Sequence, residues 1–355
     1  MRTHYAYSGS GRESEKLFRF CDGSIQDAWM SGSWDVLVDE ERQEHCLAMS
    51  TALELRHVSK SFGGFHAVQD LSLSVPAGSV YGFLGPNGAG KTTTLRMILG
   101  MLSPDSGELS VLGSPSAMSV RNRVGYLPEE KGLYSKITAT SVIAYFATLK
   151  GLSSARANQR ARELLGRYGL GAFADKKVET LSKGMGQKVQ VLASIAHDPE
   201  LVLLDEPFSG LDPVNQEVLE DILVDLKARG CTILFSTHVM SHAERLCDRL
   251  IILGGGRGLF EGTVSEARSL LPIRITLETA EGSPTLEILP GVHSMEAQSS
   301  NRWRLELEPG ASASAVLEAC FERSLRLRCF DVQDPDLHEV FVHLVGPSAR
   351  EAALR

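Results

Sequence analysis

The chain has 355 residues, of which 43% are hydrophobic and 23% charged, the balance of a globular protein able to bury a core and long enough for two domains. A formal net charge of −8 argues against a nucleic-acid partner, which would need a basic face. Six cysteines stand singly, with neither a CxxC pair nor zinc spacing, so a reduced cytoplasmic compartment is expected.

No stretch nears the roughly 18–20 apolar residues that span a bilayer, and the N-terminus lacks the basic-then-apolar order of a secretory signal. If the protein serves transport, the pore belongs to another chain. Residues 1–48 carry nine acidic against five basic residues, two SGS stretches and no sustained apolar period. They are expected to be a loosely ordered extension or a run translated from an early start codon, the alternative being a small regulatory arm. From Met49 the texture changes, and Leu53, Leu55 and Val58 alternate as in a strand. Between 53 and about 265 strands alternate with helices, which predicts an α/β domain around a largely parallel sheet.

Within that domain, about 133–185 reads as a helical insert. Val142, Ile143, Phe146 and Leu149 keep helical spacing, as do Ala157, Ala161, Leu164, Leu165 and Tyr168. After Pro272, ITLET, WRLEL and LRCFDV read as strands, Ala315 to Arg323 as a helix, and Leu337 to Val345 as a last amphipathic helix. The expected division is 1–48, an α/β domain over 49–270 and a small α+β domain over 271–355.

Three stretches carry chemistry. Gly85-Pro86-Asn87-Gly88-Ala89-Gly90-Lys91-Thr92 matches GxxxxGK[ST] between the strand-like Val80 to Leu84 and a helix-like run from Thr93 to Leu99. Glycines let successive N–H groups point inward at phosphate oxygens, and the helix aims its positive end at the same place. Lys91 would reach the β- and γ-phosphates and the Thr92 hydroxyl would ligate Mg²⁺, with Thr93 completing the cradle. Next, the apolar run Leu201 to Leu204 ends in Asp205-Glu206-Pro207. Asp205 is suited to hold Mg²⁺ and Glu206 to polarise an attacking water, the bland alternative being a solvated acidic turn. His238 then follows the strand Thr232 to Ser236, on the ligand side of such a sheet, where it could bond the γ-phosphate and the water. A weaker signal is Leu181-Ser182-Lys183-Gly184-Met185 before a helix with Val189, Leu192, Ala193 and Ala196 on one face. It would make a second anion-binding end, or simply a cap.

Together these segments, over about 53–265, resemble the nucleotide-binding cassette of ABC transporters. The implied fold is a P-loop NTPase ABC cassette with an antiparallel β part and a helical subdomain, and the implied activity is Mg²⁺-dependent ATP hydrolysis. In that resemblance Lys91 and Thr92 sit in Walker A, LVLLDEP is Walker B with Glu206 at the catalytic-glutamate position, and His238 is the switch histidine. Phe62 stands where an aromatic stacks on adenine, and Ser209 to Asp212 looks like the D-loop.

Two departures stand out: the usual LSGGQ signature reads LSKGM, keeping Ser182 and Gly184, and Glu129 occupies the Q-loop glutamine position. A glutamate there can ligate Mg²⁺ but cannot donate an amide hydrogen bond, unless Glu130 or backbone takes the inward place. Both departures, with GYLPEE and SGLDPVN, are similar to the ATPase subunits of sodium-efflux-type ABC exporters, whose small accessory domain the C-terminal section resembles.

The resemblance implies a second cassette, most simply another copy of this chain, sandwiching two ATPs head to tail. It also implies a separate transmembrane permease that would hold the subunit on the inner face of the cell membrane. Two other readings stay open: a non-transport ABC ATPase, and a nucleotide-sensing regulator with weak hydrolysis.

Overall fold

The computed structural model describes residues 51–115, 117–129, 136–280 and 289–353, with side chains of the last helix described as far as 346. The expectations for 1–48 and for Glu130 lie outside these residues.

The centre of the molecule is a six-stranded sheet in the order β5-β6-β7-β3-β8-β9. Its strands are β3 (Val80–Leu84), β5 (Val124–Leu127), β6 (Leu201–Asp205), β7 (Thr232–Thr237), β8 (Arg249–Gly254) and β9 (Arg257–Gly262). All neighbours run parallel except β9, which closes one edge antiparallel to β8. Every residue of β3, β6 and β7 is buried, as expected of strands covered on both faces. Successive residues serve opposite faces. Val202, Leu204, Ile233 and Phe235 pack with the helical insert, whereas Leu201, Leu203 and Leu234 pack with Leu53, Leu55 and Leu71 on the other side.

That second side is covered by α1 (Lys91–Ile98) and an antiparallel sheet, β2-β1-β4, made of β1 (Thr51–Phe62), β2 (Phe65–Pro76) and β4 (Ser106–Val111). The first side carries α2 (Ala139–Leu149), α3 (Ser154–Arg167), α4 (Lys183–Ile195) and α5 (Pro213–Ala228). Side-chain caps start these helices: Thr138, Ser153, Ser182 and Asp212 each accept a backbone N–H from the first turn. The spacing of α3 is confirmed in full, since Ala157, Ala161, Leu164, Leu165 and Tyr168 are all buried. In α2 the expected face is narrower, because Val142 and Ile143 are buried but Leu149 is 63% exposed at the helix end.

Beyond α6 (Met240–Leu246) and α7 (Val264–Arg268) the chain forms a four-stranded antiparallel sheet, β11-β12-β10-β13. Its strands are β10 (Arg274–Thr279), β11 (Val292–Ser299), β12 (Arg302–Leu307) and β13 (Leu327–Gln333). Helix α8 (Ala313–Glu322) covers it through Val316, Ala319 and Cys320, against Ile275, Leu277 and Leu305.

The last helix, α9 (Leu337–Ala353), runs past the expected Val345 and packs elsewhere. Leu337, Val340 and Val345 share a core with Leu84, Met240, Leu250 and Ile252 of the α/β domain. The Leu337 N–H donates to Glu244 Oε1 at 2.7 Å, and Arg268 donates to the same oxygen at 3.0 Å. By packing, α9 is a wall of the larger domain.

Candidate functional site

The register of the central sheet sets Leu84 beside Thr237 and Asp205 beside Ser236, so three chain turns leave the same edge together. Ligands of open parallel sheets bind at that carboxyl edge. After β3 the chain turns through Gly85 to Gly90, where the Ala89 N–H donates to the Pro86 carbonyl at 3.2 Å. Gly90 has a φ of 97°, and a Cβ there would meet the Ala67 carbonyl oxygen, so this approach of loop to β2 admits only glycine.

Helix α1 begins at Lys91, two residues before the run expected from the sequence, so Lys91, Thr92 and Thr93 all lie in its first turn. No side chain caps this helix end and no acidic residue stands in that turn. Its N–H groups are therefore left to an anion. Lys91 is buried, and its Nζ donates to the Gly85 carbonyl at 2.6 Å and the Pro86 carbonyl at 3.2 Å.

Facing the loop, Asp205 ends β6 and Glu206 breaks it. Glu206 adopts a φ of 48°, left-handed backbone that a non-glycine residue takes at a cost on the order of 1–2 kcal/mol. Ser236, fully buried on β7, ties the two together. It accepts the Glu206 N–H at 2.9 Å and donates to Asp205 Oδ1 at 2.6 Å. The Glu206 carboxylate then stands between two cations or donors. Oε2 accepts from His238 Nδ1 at 3.0 Å, and Oε1 lies 3.5 Å from the Lys91 ammonium.

Among the described residues, no hydrogen-bond donor reaches two buried carboxylate oxygens, Asp205 Oδ2 and Glu206 Oε1. A buried anionic oxygen left so is costly and marks a place where water or a cation completes the site. The donor set fits magnesium, a hard ion that takes oxygen ligands and keeps several waters. Glu129 is exposed, just beyond β5. The Tyr126 hydroxyl of β5 has its pKa raised, first by burial and then by the Asp205 carboxylate, with Glu129 adding to the effect, so both carboxylates act on the same ring.

Phe62 closes β1, pairs across the hairpin with Phe65 and is 48% exposed. The Lys60 ammonium stands 5.7 Å from its centroid, held by Asp105 at 2.6 Å.

The remaining expected residues gather elsewhere. Ser182 caps α4, accepting the Met185 N–H at 3.2 Å. A Cβ on Gly184 would strike the Asn215 side chain, which itself donates to Asp212 Oδ2 at 2.5 Å. Among the described residues, no hydrogen bond or ion pair joins Ser182, Gly184 or Asp212 to the phosphate loop. Sequence reasoning missed Ser236, Asn215 and Gln187, whose buried side chain donates from α4 to the Pro207 carbonyl. The available signal was position: Ser236 is a polar residue near the end of an apolar strand, two residues before His238.

A glycine-rich loop with its lysine, two adjacent carboxylates and a histidine gather at the carboxyl edge of one mostly parallel sheet, the arrangement expected of a nucleotide-hydrolysing cassette. Comparison with known proteins agrees. The ABC transporter family profile matches residues 68–209, and the profile "ATP-binding protein DrrA1-3-like, C-terminal domain" matches 262–345. The chain is 39% identical over 295 residues to the uncharacterized ABC transporter ATP-binding protein YhaQ of Bacillus subtilis (strain 168), covering 83% of this chain and 98% of that protein. It is 35% identical over 313 residues to the daunorubicin/doxorubicin resistance ATP-binding protein DrrA of Streptomyces peucetius, covering 84% and 93%.

A solved structure of the ATP binding subunit of an ABC transporter aligns with a TM-score of 0.58 at 34% identity, covering 62% of this chain and 93% of the other. The chain belongs to the ABC transporter ATP-binding proteins and carries a DrrA-like C-terminal domain. It is an ATP-binding subunit that hydrolyses ATP to power transport. No described helix is long and apolar enough to cross a membrane.

Proposed function

We propose that this subunit drives an exporter, with Glu206 as the residue that activates water for ATP hydrolysis. The observation that carries the assignment is the Glu206 carboxylate, buried between His238 Nδ1 and the Lys91 ammonium, with Oε1 accepting no hydrogen bond among the described residues. In this reading Phe62 stacks on the base. The backbone from Gly85 to Gly90 and the start of α1 cradle the phosphates, and Lys91 leaves its loop carbonyls for the β- and γ-phosphate oxygens. Thr92, Asp205 and Glu129 would hold magnesium, which would supply charge neutralisation of the triphosphate. Water held by Glu206 and His238 attacks the γ-phosphorus and gives up a proton to Glu206. The bond to the bridging oxygen breaks, and ADP and phosphate leave.

The group of Ser182, Gly184 and Asp212 completes the site of a second cassette, most simply another copy of this chain. An anion-binding helix start without an anion from its own phosphate loop supports that reading. Similarity to a daunorubicin/doxorubicin resistance protein, and to the Nod factor export ATP-binding protein I of Burkholderia lata at 42% identity over 213 residues, supports export. The permease would be a separate chain, holding this subunit to the cytoplasmic face of the membrane.

The test is Glu206→Gln. Hydrolysis is expected to fall by about 10²–10⁴-fold with ATP affinity nearly unchanged, and the variant should collect as an ATP-bound pair on size-exclusion chromatography. Turnover near the wild-type rate would remove Glu206 from the role.

A further inference from the structure

A second histidine is built in behind the carboxylate. His242 lies on α6, four residues after His238, and is 4% exposed. Its ring stacks on Phe208, with centroids 4.1 Å apart and planes within 9°. Phe208 is itself buried and meets Phe235 of β7 edge-on at 5.9 Å.

The polar edge of the imidazole is also held. Nδ1 lies 3.2 Å from Arg245 Nη2 and 3.4 Å from Glu220 Oε1 on α5, and Arg245 donates to that same Glu220 oxygen at 2.5 Å. Nδ1 has a partner in either tautomer: it accepts from the guanidinium when the ring proton is on Nε2 and donates to Glu220 when the proton is on Nδ1. Three segments thus meet at one ring: the turn after Glu206, the helix that begins at Met240, and the helix that Asp212 caps.

Glu206 needs such support, because its left-handed backbone persists only where the surroundings over-determine it. Ser236 fixes its N–H and Gln187 fixes the Pro207 carbonyl. The side chain that follows, Phe208, is fixed by the flat face of His242. We propose that His242 is a positioning residue for hydrolysis. Its ring clamps Phe208 and so holds the Glu206 turn, while its helix starts just after His238, whose ring bonds the same carboxylate. A side chain that only filled space would contribute stability without favouring the reacting geometry. A clamp loses its effect in turnover first, since a misplacement of about 1 Å can cost on the order of 10²-fold in rate.

The inference rests on the reading of Glu206 given above, and the experiment separates the two. ATP turnover and ATP binding are measured on the full chain as wild type, Glu206→Gln, His242→Ala, His242→Phe and Phe208→Leu. His242→Ala should lower kcat by about 10–100-fold with KM for ATP within about twofold. His242→Phe keeps a stacked ring and should restore kcat to within about threefold of wild type. Phe208→Leu should reproduce the alanine pattern, which keeps the test open if His242→Ala does not fold. Wild-type turnover matched within twofold by His242→Ala overturns the clamp and leaves Glu206 in place. So does a loss that the phenylalanine fails to recover. Turnover that Glu206→Gln leaves intact overturns the assignment of Glu206 and the clamp with it.

Discussion

Ser236→Ala removes one hydroxyl and tests how the carboxylate pair is held. Ser236 is 0% exposed, donates to Asp205 Oδ1 at 2.6 Å and accepts the Glu206 N–H at 2.9 Å. A buried hydrogen bond to a charged group is worth about 1.5–3 kcal/mol, and a buried N–H left without a partner costs about 1–3 kcal/mol. Asp205 would then have neither oxygen satisfied, since Oδ2 already lacks a donor. The sum is roughly 2.5–6 kcal/mol, and at about 2 °C per kcal/mol for a domain of this size the melting temperature should fall by roughly 5–12 °C. Because Glu206 sits in left-handed backbone anchored by that same N–H, turnover should fall as well, by at least about tenfold. Calorimetry without nucleotide reads the first effect and a phosphate-release assay the second. A variant that melts within 1–2 °C of wild type, roughly the error of such a scan, and hydrolyses ATP normally would show that Ser236 neither stabilises nor orients the pair.

Other consequences follow from the same geometry. Leu337→Ala opens the core shared with Leu84 and Met240 and should cost about 2–5 kcal/mol, read as a lower denaturant midpoint; an unchanged midpoint would mean that α9 does not pack there. Glu129→Gln should flatten the dependence of ATP affinity on Mg²⁺ and keep hydrolysis within about tenfold, since it removes a charge beside the metal while Glu206 remains; superimposable titrations would take Glu129 away from the ion. Burial pushes the His197 imidazole down to about 4, so the folded state resists its protonation. Its contribution to stability is complete above the ordinary histidine range and is lost as pH falls from about 6.5 towards 4. His197→Asn should therefore flatten the stability profile in that window, and a profile parallel to wild type would contradict the assignment.

What could be read in advance follows a physical pattern. The strands β3, β6 and β7 announce themselves because burial on both faces demands unbroken apolar runs, and the groups that end them are chemically conspicuous. β11 is nearly all exposed, so no alternation betrayed it, and only its pairing with β12 makes it a strand. The seat of α9 was hidden for a different reason. Its apolar face was legible, but a helix's periodicity states that a face is buried and never against what. The same limit applies inside the site. Lys91, Asp205, Glu206 and His238 are visible as residue types placed by motif, whereas Ser236 and His242 matter through partners 30 and 34 positions away in the chain, at Glu206 and Phe208. A serine near the end of a strand and a histidine within a short helix carry no sequence mark of those contacts. What singles them out is a carboxylate in left-handed backbone, a conformation that the bonds and packing around it must hold in place.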